Sequence, residues 1–239
     1  MHLFKDKDND IRVNNYECRH YTKLTQIFSR QINMKIIVFI LFLLVTGCAQ
    51  TQESIHLRTR MRTLDPNSLY FPYGSFNDGR ADTFLIRWYS TMLIGLKEPI
   101  LFRDTSKNEV CRFTWLRSFH HPISVRIEYD GESVTIYTKE SNGAGGYEPG
   151  ELITNNVQII PIEQGRSFID KLHKSFIWSS PSSAVGIPVD GAQWILEVKI
   201  PGTYKVMDKG SPERGDAFRT LCEQFLDMGG IKIKSKEAY

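Results

Sequence analysis

The chain has 239 residues with 30 Lys+Arg against 27 Asp+Glu, is 41% hydrophobic and holds four cysteines. The small positive excess sits in the first 47 residues, which carry seven bases and four acids, so the remainder balances at 23 against 23. That balance excludes the basic footprint of a nucleic-acid-binding domain, and the lack of Cys-x-x-Cys or Cys/His ligand spacing argues against a structural zinc; no metal or other cofactor is expected.

Residues 1–33 are polar, mixed in charge and too long for an ordinary signal-peptide head, so they and Cys18 are set aside from the fold. Met34-Lys35 reads as a start in its own right. Behind the Lys35 charge, Ile36 to Val45 is an unbroken apolar run that closes on Val45-Thr46-Gly47-Cys48 and gives way to polar Gln50-Thr51-Gln52-Glu53. Its length suits a signal-peptide apolar region and falls well short of the roughly 20 residues a membrane span needs. The stretch resembles a bacterial lipobox. The resemblance implies cleavage by signal peptidase II between Gly47 and Cys48, and a lipid on Cys48 that holds the protein to a membrane of the cell envelope. It implies a position on the periplasmic face, and Ala49 after the cysteine favours the outer membrane. The expected organisation is a leader and signal peptide over 1–47, a lipidated tether and entry segment over 48–80, and one domain over 81–239.

The entry segment carries turn signals at Asp65-Pro66-Asn67, Tyr73-Gly74 and Asp78-Gly79. Its aromatics Tyr70, Phe71, Tyr73 and Phe76 suit packing onto the domain. Over Asp82–Lys97 the recurrence of Phe84, Trp88, Met92 and Leu96, widened by Leu85, Tyr89 and Leu93, predicts a helix. Pro99 stops it, because the residue before a proline is pushed out of helical space. Ile100–Phe102 is expected to begin the sheet. Glu109–Leu116 alternates, with Cys111, Phe113 and Trp115 on one side and Arg112 and Thr114 on the other, which predicts a half-buried strand.

Ile123–Tyr129 and Glu132–Thr138 flank Asp130-Gly131, a favoured two-residue hairpin turn. That turn sets Ile127 opposite Val134, Val125 opposite Ile136, Arg126 opposite Thr135 and Glu128 opposite Ser133. Ser141–Gly150 is a glycine-rich loop, Glu151–Ile162 a strand, Gly165–Ile177 a helix and Ser179–Gly186 a Ser/Pro loop. Ala192–Ile200 is an alternating strand that buries Trp194, Leu196 and Val198. A three-residue loop, Pro201–Thr203, aligns Val198 with Val206 and Ile200 with Tyr204, and is preferred to a two-residue loop that sets Val198 against Lys205. Ser211 as N-cap with Pro212 at the first helical position opens the last helix, which buries Phe218, Cys222 and Phe225 and ends at Gly229-Gly230. The order predicts an α+β domain, a mainly antiparallel sheet of six to seven strands with about three helices packed on it.

Two places have the residue types that catalysis needs. Arg117-Ser118-Phe119-His120-His121-Pro122 joins two strands, and histidine is the usual acid–base group near neutral pH. If the backbone is extended, His120 and His121 face opposite ways and cannot share a metal. In a catalytic reading His120 works with Asp190, which orients it, or with Glu197, and Trp194 floors a pocket; Arg117, His121 and Trp194 are the candidate binding residues. In the structural reading one histidine closes a strand end, the other is solvated, and Asp190-Gly191 is a turn. Alternation already points Glu197 away from Trp194. Gly143-Ala144-Gly145-Gly146 lacks the following helix N-terminus that a phosphate cradle requires, and no serine occupies a nucleophile elbow. Cys111 and Cys222 either pair in an oxidising compartment, a bridge worth roughly 4–5 kcal/mol on the chain-entropy account, or remain buried thiols among apolar neighbours.

The Trp-Tyr-Ser…Lys97-Glu98-Pro99 segment, Leu116–His120, Asp190–Trp194…Glu197 and Tyr204…Ser211-Pro212-Glu213 together resemble bacterial proteins with which no activity is associated. The resemblance covers much of residues 82–228 and implies no chemistry. Three functions remain compatible with these residues. The first is a lipid-anchored envelope protein that acts by binding or structure, with the membrane and an envelope protein as partners. The alternatives are an immunity-type lipoprotein that binds a toxin and a hydrolase using His120 with Asp190 or Glu197.

Overall fold

The computed structural model describes residues 36–39, 64–76, 80–182 and 191–232. Gly47, Cys48, Asp190, the tether before residue 64 and the second half of the Ser/Pro loop, 183–186, lie outside the described residues. Contacts divide the chain into two units, Met1–Gln52 and Glu53–Tyr239. In the first, residues 36–39 are helical, and their apolar side chains are exposed, from 50% at Ile36 to 63% at Phe39. Among the described residues no helix is long and apolar enough to cross a membrane.

The second unit is built on one six-stranded antiparallel sheet: β1 (Glu109–Arg117), β2 (Ile123–Tyr129), β3 (Val134–Ser141), β4 (Leu152–Ile160), β5 (Ala192–Ile200) and β6 (Thr203–Gly210). They lie side by side in the order β4-β3-β2-β1-β5-β6. Three helices, α1 (Arg80–Gly95), α2 (Ile162–His173) and α3 (Ala217–Met228), complete an α+β fold. Ile100–Phe102, expected to begin the sheet, instead runs into a single 3-10 turn, Leu101–Arg103, so the sheet has six strands.

Both faces of the sheet are covered. On one, Phe113, Trp115, Val125, Ile127, Trp194 and Leu196 pack against Phe168 and Leu172 of α2 and Phe218, Cys222 and Phe225 of α3. On the other, Leu116, Ile195 and Val206 pack under Leu85, Ile86, Tyr89, Met92 and Leu93 of α1 together with Leu69, Phe71 and Phe76 of the entry segment. β1 and β5, central and doubly covered, are therefore buried along almost their whole length. The expectation of half-buried strands fails for this reason. Arg112 and Glu197, assigned by alternation to a solvent face, have no exposed surface.

The two hairpins differ from the turn readings in instructive ways. Between β2 and β3 the loop has four residues, Asp130–Ser133, so Ile127 pairs with Ile136, Tyr129 with Val134, Arg126 with Tyr137 and Glu128 with Thr135. The register moves by two, which keeps every side chain on its expected face. The wider loop lets Asp130 Oδ1 accept from the backbone N–H groups of Glu132 and Ser133, at 2.9 and 2.7 Å. Between β5 and β6 the loop is the two-residue Pro201-Gly202, with Val198 opposite Lys205 and Ile200 opposite Thr203. Proline followed by a glycine at φ +77° is the type II turn signature. Matching apolar partners misled here because β6 is buried on both faces, Val206 in one core and Met207 in the other.

Helix ends show where local chemistry decided. Asp82 accepts from the backbone N–H groups of Gly74 and Phe76, at 2.7 and 3.0 Å, which pins the entry segment to the start of α1. At the other end Lys97 N–H donates to Ile94 O and Glu98 N–H to Leu93 O, each at 3.0 Å, with Lys97 at φ +52°. This is a Schellman ending with lysine where glycine is usual, so the helix is closed before Pro99. The last helix does not start at Ser211-Pro212. Its N-cap is Asp216, whose side chain accepts from Phe218 N at 2.7 Å. Ser211 instead closes the β5–β6 ladder, since its N–H donates to Ala192 O and its hydroxyl accepts from Ala192 N.

Candidate functional site

The Schellman turn places Glu98 over the centre of the sheet, where it meets side chains from three neighbouring strands. Arg112 of β1 and Arg126 of β2 stand side by side in register, as do Arg112 and Glu197 of β5. Arg112 binds Glu197 Oε2 through Nε at 2.7 Å and Nη2 at 2.5 Å, and its Nη1 reaches Glu98 Oε2 at 3.3 Å and Pro99 O at 2.7 Å. Arg126 Nε donates to Glu98 Oε2 at 2.9 Å, and Lys139 Nζ of β3 lies 3.2 Å from Glu98 Oε1 while donating to Lys97 O at 2.6 Å. Tyr204 donates its hydroxyl to Glu197 Oε1 at 2.9 Å. Arg126 also pairs with Glu128 and stacks over Tyr137, 3.9 Å from the ring centre.

Three cations thus meet three carboxylates, so the cluster neutralises itself. Burial raises the Glu98 carboxyl, but Arg112, Arg126 and Lys139 outweigh it and hold the group below the usual carboxylate range. Burial raises Glu197 and is only partly offset by Arg112 and Tyr204, so this carboxyl stays above its ordinary value. Burial lowers the Arg112 guanidinium and the two glutamates more than reverse that. Tyr204 is pushed well up by burial and by the Glu197 charge. No group here is an available base. What the arrangement does is lock the end of α1 to three strands at once, through contacts that only this register provides.

The residues singled out by sequence are scattered. His120 is half-buried, in the turn after β1, where its carbonyl accepts from Gly145 N at 3.0 Å. Glu197 lies five positions along β5 from the Ala192 that pairs with Arg117, and its carboxylate is engaged by Arg112 and Tyr204. His120 and Glu197 are not brought together, and Asp190 lies outside the described residues. Trp194 has no exposed surface and packs between Phe113 and Trp115 with Arg219 over its ring; it is a core residue, not a pocket floor. Arg117 is buried over the Trp115 ring. His121 is exposed and pairs with Glu140 at 2.8 Å.

The glycine loop serves close packing. A Cβ on Gly145 would sit 2.7 Å from Arg117 N and O, and Trp88 Nε1 donates to Gly145 O at 3.0 Å. At its tip Phe119 and Tyr147 stack with ring centres 5.7 Å apart; both are exposed. Cys111 and Cys222 are free, buried thiols, one on β1 and one on α3, so the pairing alternative is not realised. Cys111 does line a small cleft with Glu109 and His173, and these last two are 3.0 Å apart. Burial, reinforced by Glu109, pushes the Cys111 thiol far up, which leaves it a neutral thiol and a poor nucleophile. Among the described residues no group of three or more His, Cys, Asp or Glu is placed to hold a metal ion.

Sequence reasoning missed Glu98, Arg112, Arg126, Lys139 and Tyr204. One signal was present: three amphipathic helices carry more apolar surface than a one-faced sheet can cover, so a second face had to be buried with its charges. Compared with models of known protein families the chain matches none, and no curated protein is significantly similar to it.

Proposed function

We propose that this chain is a lipid-anchored bacterial envelope protein whose domain acts by binding or as a structural element. The observation that carries the reading is the apolar run ending in Val45-Thr46-Gly47-Cys48, together with the exposed apolar side chains of Ile36 to Phe39. Exposed apolar helical surface calls for an apolar environment, and a signal-peptide apolar region meets one during export. The domain supports a binding role through its exposed Phe119–Tyr147 pair, since aromatic side chains offer large contact area at low entropic cost. Its charged cluster is fully occupied with holding the fold.

The test is metabolic labelling with palmitate in cells that express the full chain. Wild type takes up label and is processed to a shorter form, and Cys48→Ala does neither. Labelling that survives the substitution refutes the anchor. Capture of partners from the envelope by the anchored wild type, lost on Phe119→Ala/Tyr147→Ala, tests the binding role.

A further inference from the structure

Three segments distant in sequence meet on one flank of α1 and leave aromatic rings in the open. Phe84 packs against Trp88 with ring centres 5.9 Å apart. Trp88 Nε1 donates to Gly145 O, and Gly146 donates its N–H to Ser118 O at 3.3 Å. The next residue on each strand of that contact, Tyr147 and Phe119, carry the two rings that pack together. Phe119 is 60%, Phe84 45% and Tyr147 37% exposed. At roughly 200 Å² for an aromatic side chain, about 300 Å² of ring surface stands uncovered, the size at which a patch on a monomer is often functional. Arg87, Glu148 and the His121–Glu140 pair stand at its rim.

The length of chain ahead of the domain says what lies within reach of this flank. The chain enters at Leu64, which packs on the core under α1, and Arg103 clamps the turn that follows through Asn67 O at 2.6 Å and Pro66 O at 3.2 Å. Residues 49–63 separate that fixed point from Cys48. Fully extended, such a stretch spans about 55 Å, more than twice the ~24 Å length of a 16-residue helix such as α1. A lipid on Cys48 therefore keeps the domain within a short distance of the bilayer, and contact with the lipid surface becomes intramolecular. The same stretch carries Arg58, Arg60 and Arg62 against Glu53 alone, a basic excess that anionic headgroups attract. Aromatic rings settle at the headgroup level of a bilayer, where projecting rings need no matching groove.

We propose that Phe84, Phe119 and Tyr147 rest in the headgroup region of the bilayer to which Cys48 is tied, so that the domain lies against the membrane along this flank of α1. The inference rests on the lipid-anchor reading and names the lipid surface as what the Phe119–Tyr147 pair binds. The occupant is the bilayer because the tether holds that surface within reach at all times and its arginines draw the domain onto it.

The test expresses the full chain in cells, purifies the palmitate-labelled form and reconstitutes it into vesicles of phosphatidylethanolamine and phosphatidylglycerol, with and without phosphatidylcholine brominated close to the headgroup. Phe119→Trp and Phe84→Trp replace exposed rings by a fluorescent one, and Ile159→Trp, on β4 at a side chain 74% exposed, is the comparison; the wild-type tryptophan signal is subtracted from each. The expected result is blue-shifted emission and loss of intensity to the brominated lipid for Phe119→Trp and Phe84→Trp, and water-like, unquenched emission for Ile159→Trp. Labelled protein in which Phe119→Trp is quenched no more than Ile159→Trp overturns the membrane contact and leaves the anchor standing. Emission from Phe119→Trp that stays water-like on vesicles and shifts only when an envelope protein is added also overturns it, and assigns the flank to a protein partner. Absence of palmitate label removes the anchor, and the proposal with it.

Discussion

Replacing Glu98 by glutamine removes one charge while keeping the shape of the side chain, and the surroundings determine the cost. Arg126 and Lys139 lose the carboxylate at 2.9 and 3.2 Å, Arg112 keeps Glu197, and Ser124 keeps an amide oxygen as partner at the 3.2 Å position. Arg126 then keeps only Glu128 as a carboxylate partner, at the cluster's margin, and Lys139 keeps only the Lys97 carbonyl. Breaking a buried pair by removing one partner costs about 3–5 kcal/mol, a large part of the ~5–15 kcal/mol stability of a domain. Glu197→Gln is the internal comparison. Its carboxylate is already disfavoured by burial, and the amide still accepts from Arg112, so the expected loss is about 1–3 kcal/mol, the scale of one unsatisfied buried group.

Acid titration separates the two further. The folded-state pKa of Glu98 lies below its ordinary 4.5, so its contribution is full above that value and is lost as pH falls through the lower folded value. Glu197 has the opposite sign, its folded pKa being raised. Its charge therefore opposes folding near neutral pH, and protonation relieves that. Urea unfolding of the full chain, followed by tryptophan fluorescence from pH 7 downward, should show Glu98→Gln with the lower midpoint at neutral pH and a flatter decline below pH 4.5. Stability of Glu98→Gln within about 0.5 kcal/mol of wild type at neutral pH, the range of ordinary surface substitutions, would refute the structural role given to this carboxylate.

Tyr204→Phe removes the hydroxyl that Glu197 Oε1 accepts from at 2.9 Å and should cost about 1.5–3 kcal/mol, the range for hydrogen bonds to charged groups; an unchanged urea midpoint would dismiss that bond. Lys97→Gly should stabilise by up to about 1 kcal/mol, because a non-glycine residue at φ +52° carries a left-handed penalty of roughly 1–2 kcal/mol that glycine's greater unfolded-state entropy only partly offsets. A lower melting temperature for this variant would show that the Lys97 side chain contributes more than its backbone costs.

Much of this molecule is legible in the chain itself. The helical periods, the alternation of β1 and β5, the Asp-Gly and Pro-Gly turns and the tandem Gly229-Gly230 stop all arise from rules acting within a few residues, and they suffice for an antiparallel α+β domain. The apolar run ending at Cys48 is equally local. What local patterning could not decide was which strands lie in the middle. A strand's alternation says that two faces differ; it does not say that the polar one is open to water. Only when α1 and the entry segment close over the sheet do Arg112 and Glu197 become fully buried, and burial is what turns an ordinary polar face into an obligatory ion cluster, since a charge removed from water must find its partner. The same cause governs β6, whose register obeys Pro201-Gly202 rather than apolar matching, and Trp194, which belongs to the core. It also separates Glu197 from His120. The sequence determined the elements and where the chain turns between them, while turn lengths and registers were settled in the sheet, and the second covered face, a property of packing among distant segments, decided what the charged residues are for.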